Sequence, residues 1–149
     1  MFSSHVTWAV YVLIELDKVL HIENNPKGMI ISTDNKMHKS VLHNVLRKLM
    51  SIGYIARTSS YNKYRLTVNI SQVSIYALVK LFHGDVCIGE IYDHCHTIGK
   101  ENFTTAEFNN FLSYERDFKE SICIRMQETY LCDLIKLSDK SNLLGLENK

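Results

Sequence analysis

The sequence predicts a mainly α-helical protein with a small β-hairpin, in which a winged helix-turn-helix domain is followed by a long C-terminal dimerisation helix. Apolar residues recur at three- and four-residue spacing in several segments, which is typical of amphipathic helices. A segment between two of these helices alternates apolar and polar residues, as paired strands do. The 149 residues include one proline and six glycines, so long flexible linkers are not expected.

The first half of the chain contains two predicted helices. A first helix follows Ser3 and continues to about Leu20, and the turn formers between His21 and Gly28 end it. Residues 29–35 fit either a short, poor helix or an extended segment. Residues 37–51 form a clear amphipathic helix that stops before Gly53, and its apolar stripe consists of Leu42, Val45, Leu46 and Leu49.

A hairpin and a further helix follow. Residues 54–70 are predicted to form two strands with a polar tip from Arg57 to Lys63, and this arrangement is typical of the wing of a DNA-binding domain. A surface hairpin without a ligand remains the alternative. Ser74 is predicted to cap a short helix that ends at Gly84.

The last predicted helix is the longest. Thr104 and Glu107 match a capping box, and no glycine or proline interrupts the apolar stripe up to Ile135. A small domain cannot cover so long a stripe, so we expect a partner helix, although packing back on the N-terminal domain is the alternative. The predicted dimer interface consists of Phe108, Phe111, Phe118, Ile122, Met126, Leu131 and Leu134. The predicted organisation is a DNA-binding domain at 1–85, a connecting loop at 86–103, the dimerisation helix at 104–137 and a flexible tail at 138–149.

Charge is unevenly distributed along the chain, although the net charge is only +1. Residues 36–84 carry eight Lys and Arg side chains and no Asp or Glu, whereas residues 85–149 carry seven bases and twelve acids. Because a carboxylate repels phosphate, an acid-free stretch of this length favours double-stranded DNA as the partner. A solvated basic face without a partner is the alternative.

Several short motifs in this order resemble the bacterial winged-helix regulators that include IscR, NsrR and CymR, the Rrf-two family. The matching residues are Trp8-Ala9-Val10, Ser40, Leu42, Leu46, Leu49, Gly53-Tyr54-Ile55 and Val73-Ser74-Ile75 with Val79 and Gly84. The wing differs, because residues 58–64 lack the glycines of the family and keep only Tyr64. The short helix that the family has before its recognition helix is degraded here, because residues 29–35 lack the family's alanine and glutamate. The resemblance implies a homodimeric, sequence-specific DNA-binding transcriptional regulator.

The candidate DNA contacts lie on the second helix and the wing. Arg and Asn side chains can read base edges through paired hydrogen bonds, and Lys and Arg bind phosphates. On the helix the candidates are Lys36, His38, Lys39, Ser40, His43, Asn44, Arg47 and Lys48. On the wing they are Arg57, Ser59, Lys63 and Arg65.

Cysteines raise the alternative of a sensor. Cluster-binding members of the family place three cysteines before the long helix, whereas this loop offers Cys87 and Cys95, with His94 and His96 beside Cys95. We therefore expect no metal site and no cofactor, and we keep an iron-sulfur cluster, zinc or a reactive thiol as the alternative. Cys123 and Cys132 are predicted to be interface or packing residues on the long helix.

Other classes of function have little support in the sequence. No phosphate-cradling glycine loop, nucleophile elbow or paired acidic motif occurs, so we do not expect an enzyme. No export signal or membrane-spanning stretch is visible, so we expect a cytoplasmic protein without a membrane partner. Two alternatives remain, namely the sensor and a dimeric interaction module that has lost DNA binding. The sequence leaves repression and activation equally open.

Overall fold

A first helix, α1 (Ser4–His21), runs through the centre of the fold. It begins where the Oγ atom of Ser3 accepts a hydrogen bond from the N–H of Val6 (3.3 Å). Its apolar positions recur every three or four residues, and Val6, Ala9, Val12, Leu13, Leu16 and Val19 are buried. The computed structural model describes residues 2–59, 61–84 and 104–136, and within these ranges the helix predicted after Ser3 is confirmed.

The segment after α1 is extended. Strand β1 (Met29–Ile30) lies antiparallel to a later strand, with Met29 opposite Tyr64. Gly28 permits this approach, because its φ is 79° and a Cβ atom there would lie 1.9 Å from the carbonyl oxygen of Tyr64. Residues 31–35, all of them described, contain no helical turn. The short helix that the resemblance implies before α2 is therefore replaced by a strand and a short connection, and the extended alternative for residues 29–35 is correct.

The second helix, α2 (Lys36–Ser51), agrees with the prediction for residues 37–51. The side-chain oxygen of Asn35 caps it by accepting from the N–H of Met37 (3.0 Å). Gly53, with φ of 80°, allows the chain to leave the helix. The side chains that α2 buries are the four of the predicted stripe, Leu42, Val45, Leu46 and Leu49.

The predicted hairpin is present and forms the wing. Strands β2 (Ile55–Arg57) and β3 (Lys63–Leu66) are antiparallel, and β3 lies between β1 and β2 in the sheet. The N–H of Thr58 donates to the carbonyl oxygen of Lys63 (2.9 Å), which closes the tip. A short 3-10 helix (Ile70–Gln72) and helix α3 (Ile75–His83) follow, and the Oγ atom of Ser74 caps α3 through the N–H of Ala77 (3.1 Å).

Helix α4 (Thr105–Glu128) begins with the predicted capping box between Thr104 and Glu107. It is shorter than predicted, because the chain becomes extended at Thr129 and Tyr130 and is helical again at residues 131–136. The interruption follows from pairing with the segment before α3. The N–H of Ile75 donates to the carbonyl oxygen of Thr129 (2.9 Å), and the N–H of Leu131 donates to that of Val73 (2.9 Å). An uninterrupted helix from 104 to 137 is therefore a wrong prediction.

One hydrophobic core joins all of these elements. Side chains of α1, α2, the hairpin and α3 pack together, and Met126 and Leu131 from the C-terminal part belong to the same cluster. Burial of these two side chains stabilises the break between α4 and the helical residues 131–136. The connecting loop at 86–103 and the tail at 138–149 lie outside the described residues.

Candidate nucleic-acid interface

The exposed face of α2 carries a compact set of cations and hydrogen-bond donors. At about 100° per residue, Lys36, Lys39, Ser40, His43 and Arg47 fall within an arc of about 100° that lies beside the arc of the buried stripe. All five side chains are exposed. Between residues 24 and 84 the sequence contains a single carboxylate, that of Asp34, which precedes the helix. This face is therefore suited to a polyanion.

Two residues of α2 that can read bases lie side by side. The guanidinium of Arg47 donates a hydrogen bond to the Oδ1 atom of Asn44 (3.3 Å). Asn44 is half-buried at the edge of the cationic arc, and Arg47 is exposed near its centre. Because the bond is long and on the surface, base edges can displace it at low cost.

Two further candidate DNA contacts on α2 pack against other elements of the same chain. The ring of His38 lies edge-on to that of Trp8 in α1, with 5.7 Å between ring centroids. The ammonium of Lys48 donates to the carbonyl oxygen of Leu81 (3.0 Å) and lies 5.6 Å from the centre of the Phe82 ring. Both side chains point away from the cationic arc, at about 200° and 120° from Lys36 around the helix. We therefore assign a structural role to His38 and Lys48.

The cations of the wing are divided between its two faces. Opposed residues of antiparallel strands point to the same side, so Arg57, opposite Tyr64, shares the face of the buried Ile55 and Leu66. Arg57 lies over the Tyr64 ring, with 5.8 Å from the guanidinium carbon to the ring centroid. Lys63 and Arg65 alternate with Tyr64 and lie on the outer face. Ser59 is exposed near the tip.

An exposed aromatic residue completes the tip of the wing. Tyr61 exposes 87% of its surface and precedes Asn62, whose positive φ of 55° turns the chain into β3. The prediction did not include Tyr61. An aromatic residue in the middle of a polar hairpin tip is the signal that could have identified it.

The predicted dimer stripe divides into a covered part and an exposed part. Met126 and Leu131, which are 7% and 0% exposed, belong to the core of the same chain, and Ile122 and Leu134 are half-buried against that core. Phe111 and Phe118 remain 40% and 44% exposed, and Phe108 is half-buried. The stripe thus packs back on the N-terminal domain from residue 122 onward, which corrects the assignment of Met126 and Leu131 to an interface.

A tyrosine absent from the predicted interface extends the exposed part of the stripe. The ring of Tyr114 stacks on that of Phe118, with centroids 6.5 Å apart and an angle of 12° between the planes. Their spacing of four residues is the signal that could have identified the pair. Phe111, Tyr114 and Phe118 therefore form one aromatic strip along α4.

The residues on which the sensor alternative depends lie outside the part of the chain that the structure describes. Cys87, His94, Cys95 and His96 all lie between residues 85 and 103. In the described ranges, no group of three or more His, Cys, Asp or Glu side chains is arranged to hold a metal ion. Cys123 and Cys132 are free thiols and are half-buried. No helix in the described part of the chain is long and apolar enough to span a membrane.

Solved structures with a similar fold exist, although the sequence matches no protein-family model and no curated protein. CymR (YrzC), the global cysteine regulator of B. subtilis, superposes with a TM-score of 0.58 at 12% identity, over 90% of this chain and 94% of that one. Staphylococcus aureus CymR gives a TM-score of 0.55 at 15% identity, over 87% and 93%. Its oxidized form gives 0.54 at 14% identity, over 88% and 92%. The chain therefore has the fold of the CymR structures, a winged helix with a C-terminal helical region, as its resemblance to the Rrf-two regulators predicts.

Proposed function

We propose that the chain is a sequence-specific DNA-binding transcriptional regulator of the cytoplasm that acts as a homodimer and has no catalytic activity. The observation that carries the proposal is the exposed arc of α2, where Lys36, Lys39, His43 and Arg47 lie together outside the buried stripe. In this arrangement α2 enters the major groove, and Arg47 and Asn44 meet base edges.

In the proposed complex, the wing contributes DNA contacts in addition to those of α2. Lys63 and Arg65 share the outer face of the hairpin, so they bind phosphates together, whereas Arg57 is held over the Tyr64 ring. Tyr61 is exposed at the tip, where it can contact the adjacent minor groove. The CymR structures of similar fold belong to a regulator, which supports the same function.

Dimerisation follows from the exposed aromatic strip on α4. Phe111, Tyr114 and Phe118 lie at intervals of three and four residues, which gives one face that a second copy of α4 covers. A twofold axis at this strip relates two copies of α2, and the proposal requires that they meet successive major grooves, roughly 34 Å apart.

The test begins with the selection of genomic fragments that the purified protein binds. Affinity for a selected duplex is then measured by fluorescence anisotropy at several salt concentrations. Each phosphate contact contributes about −0.9 to the slope of log affinity against log salt. Lys63→Gln and Arg65→Gln should each reduce the slope by about that amount, and Arg57→Gln should reduce it less. Affinity that does not depend on salt, or that is equal for every duplex, contradicts the proposal.

A dimeric interaction module without DNA binding is the second candidate. Two observations favour it, namely the strand in place of the helix before α2 and the division of the wing cations between two faces. Under this function the protein is a dimer in sedimentation experiments, and no duplex is enriched in the selection. The same selection therefore separates the two candidates.

A further inference from the structure

A cavity of about 370 Å³ lies between α1 and the C-terminal part of the chain. Val6 and Val10 of α1 form one wall, and Ile75 at the start of α3 contributes to it. Met126, Arg125 and Leu134, from the end of α4 and the residues after it, form the other wall. The cavity thus lies at the junction between the DNA-binding part of the fold and the C-terminal part.

The cavity opens to solvent, and its size falls within the roughly 300 to 1,000 Å³ that sites for small molecules span. Backbone hydrogen bonds tie two of the elements around it together. The N–H of Ile75 donates to the carbonyl oxygen of Thr129 and that of Leu131 to the carbonyl oxygen of Val73 (both 2.9 Å), which holds the start of α3 against the end of α4.

The chemistry of the lining is that of a site for an amphipathic molecule. Most lining side chains are apolar, and Arg125 is the one charged residue among them. Arg125 is exposed, so its aliphatic stem lines the wall while its guanidinium stays near the mouth. Within the part of the chain that the structure describes, no carboxylate lies within ion-pairing distance of Arg125, whereas Lys119 pairs with Glu115 and Lys136 with Asp133. The Arg125 guanidinium is therefore available to a ligand.

We infer that this cavity binds a small organic anion with an apolar body, such as an aromatic or branched carboxylate. The apolar body fills the space between Val10, Ile75 and Met126, and the carboxylate accepts hydrogen bonds from the Arg125 guanidinium at the mouth. The ligand contacts α1, α3 and the end of α4 together. If the proposed function holds, occupancy therefore adds contacts that hold the DNA-binding part and the aromatic strip of α4 in one arrangement.

Isothermal titration calorimetry on the full chain, without DNA, tests the binding site independently of the proposed function. The probes are naphthoate and its neutral counterpart naphthamide, which share one apolar body and differ in charge. We expect saturable binding of one naphthoate per chain, with naphthamide weaker. Arg125→Gln should raise the Kd of naphthoate about tenfold and leave that of naphthamide within about twofold, because only the anion loses a charge-assisted hydrogen bond.

A second variant tests the place of binding. Val10→Phe adds bulk inside the cavity and should weaken both probes, while Tyr11→Phe, one residue further on the exposed side of α1, should weaken neither. Thermal unfolding of each variant establishes that it is folded before titration. Absence of saturable binding to the wild-type protein overturns the inference. Equal binding of both probes that Arg125→Gln does not alter also overturns it, because the site then has no preference for an anion.

Discussion

The ammonium group of Lys48 donates a hydrogen bond of 3.0 Å to the carbonyl oxygen of Leu81, which joins the last turn of α2 to the end of α3. Lys48 follows Arg47 directly in the sequence, yet the two cations have different surroundings. Arg47 faces outward within the cationic arc, and Lys48 satisfies one of the carbonyl groups that the end of a helix leaves unpaired. We therefore predict separable roles for these neighbouring cations, DNA binding for Arg47 and stability for Lys48.

Replacement of Lys48 by Met should lower the free energy of unfolding by about 1 kcal/mol, because an exposed hydrogen bond to a helix end is lost while the aliphatic stem is kept. The salt dependence of DNA affinity should not change. Arg47→Gln is the matched control, and it should weaken binding to the selected duplex by about 1 to 3 kcal/mol and change stability by less than about 0.5 kcal/mol. Urea unfolding and anisotropy titrations measure the two quantities. A change in the salt dependence of DNA affinity on Lys48→Met, without a loss of stability, would show that Lys48 contacts DNA.

The contacts of Lys48 and His38 show what the sequence cannot predict about the candidate DNA-binding residues. Charge and helical spacing identify α2 and its exposed arc, because both are local properties of fifteen or so residues. They do not show which distant segments approach the ends of the helix. Trp8 and Leu81, separated from their partners by thirty or more residues, make those contacts. The residues near the middle of the arc consequently stay predicted DNA contacts, because they make no such long-range contact with the described residues.

The first turn of α2 depends on a single side chain. Asn35→Ala removes the acceptor for the N–H of Met37 and should destabilise the protein by about 1 kcal/mol. Asn35→Ser is the control, since a hydroxyl oxygen also caps helices, and it should keep most of the stability. Urea unfolding measures the loss, and amide exchange at residues 37–39 should accelerate only in the alanine variant. Equal exchange in both variants would show that Asn35 does not cap the helix.

The break after α4 is the clearest departure from the sequence prediction. The segment from Phe108 to Ile135 contains neither glycine nor proline, so nothing local predicts an end at Glu128. The end results from a long-range β-bridge between Ser74 and Tyr130, together with burial of Leu131. Apolar periodicity identifies the side chains that become buried. It does not distinguish a partner copy from the chain's own core.

Two substitutions distinguish the covered part of the stripe, which stabilises the fold, from the exposed part, which we expect to form the dimer interface. Leu131→Ala removes a fully buried side chain and should cost about 2 to 5 kcal/mol of stability at every protein concentration. Phe118→Ser removes an exposed ring that stacks on Tyr114, and it should raise the dimer Kd at least about tenfold while the monomer stays folded. Sedimentation equilibrium measures the association, and circular dichroism measures the fold. A dimer that tolerates Phe118→Ser would place the interface elsewhere.

The wing depends on the close approach of Gly28 to Tyr64. Comparing substitutions at Gly28 and Gly53 isolates the effect of this approach on stability. Gly28 and Gly53 have nearly equal positive φ values of 79° and 80°. A Cβ atom at Gly28 would meet the carbonyl oxygen of Tyr64 at 1.9 Å, whereas one at Gly53 would meet nothing within 4 Å. Gly53→Ala should therefore cost about 1 kcal/mol, which reflects the backbone conformation alone.

Gly28→Ala should cost more than about 3 kcal/mol, because the clash adds to the same conformational strain and separates β1 from β3. Urea unfolding of the two variants measures the difference directly. The loss at Gly28 should be accompanied by faster exchange of the Ile31 amide, which donates to the carbonyl oxygen of Asn62 (3.0 Å). Equal costs at the two positions would mean that β1 does not lie against β3. The extended segment then could not replace the missing helix in supporting the wing.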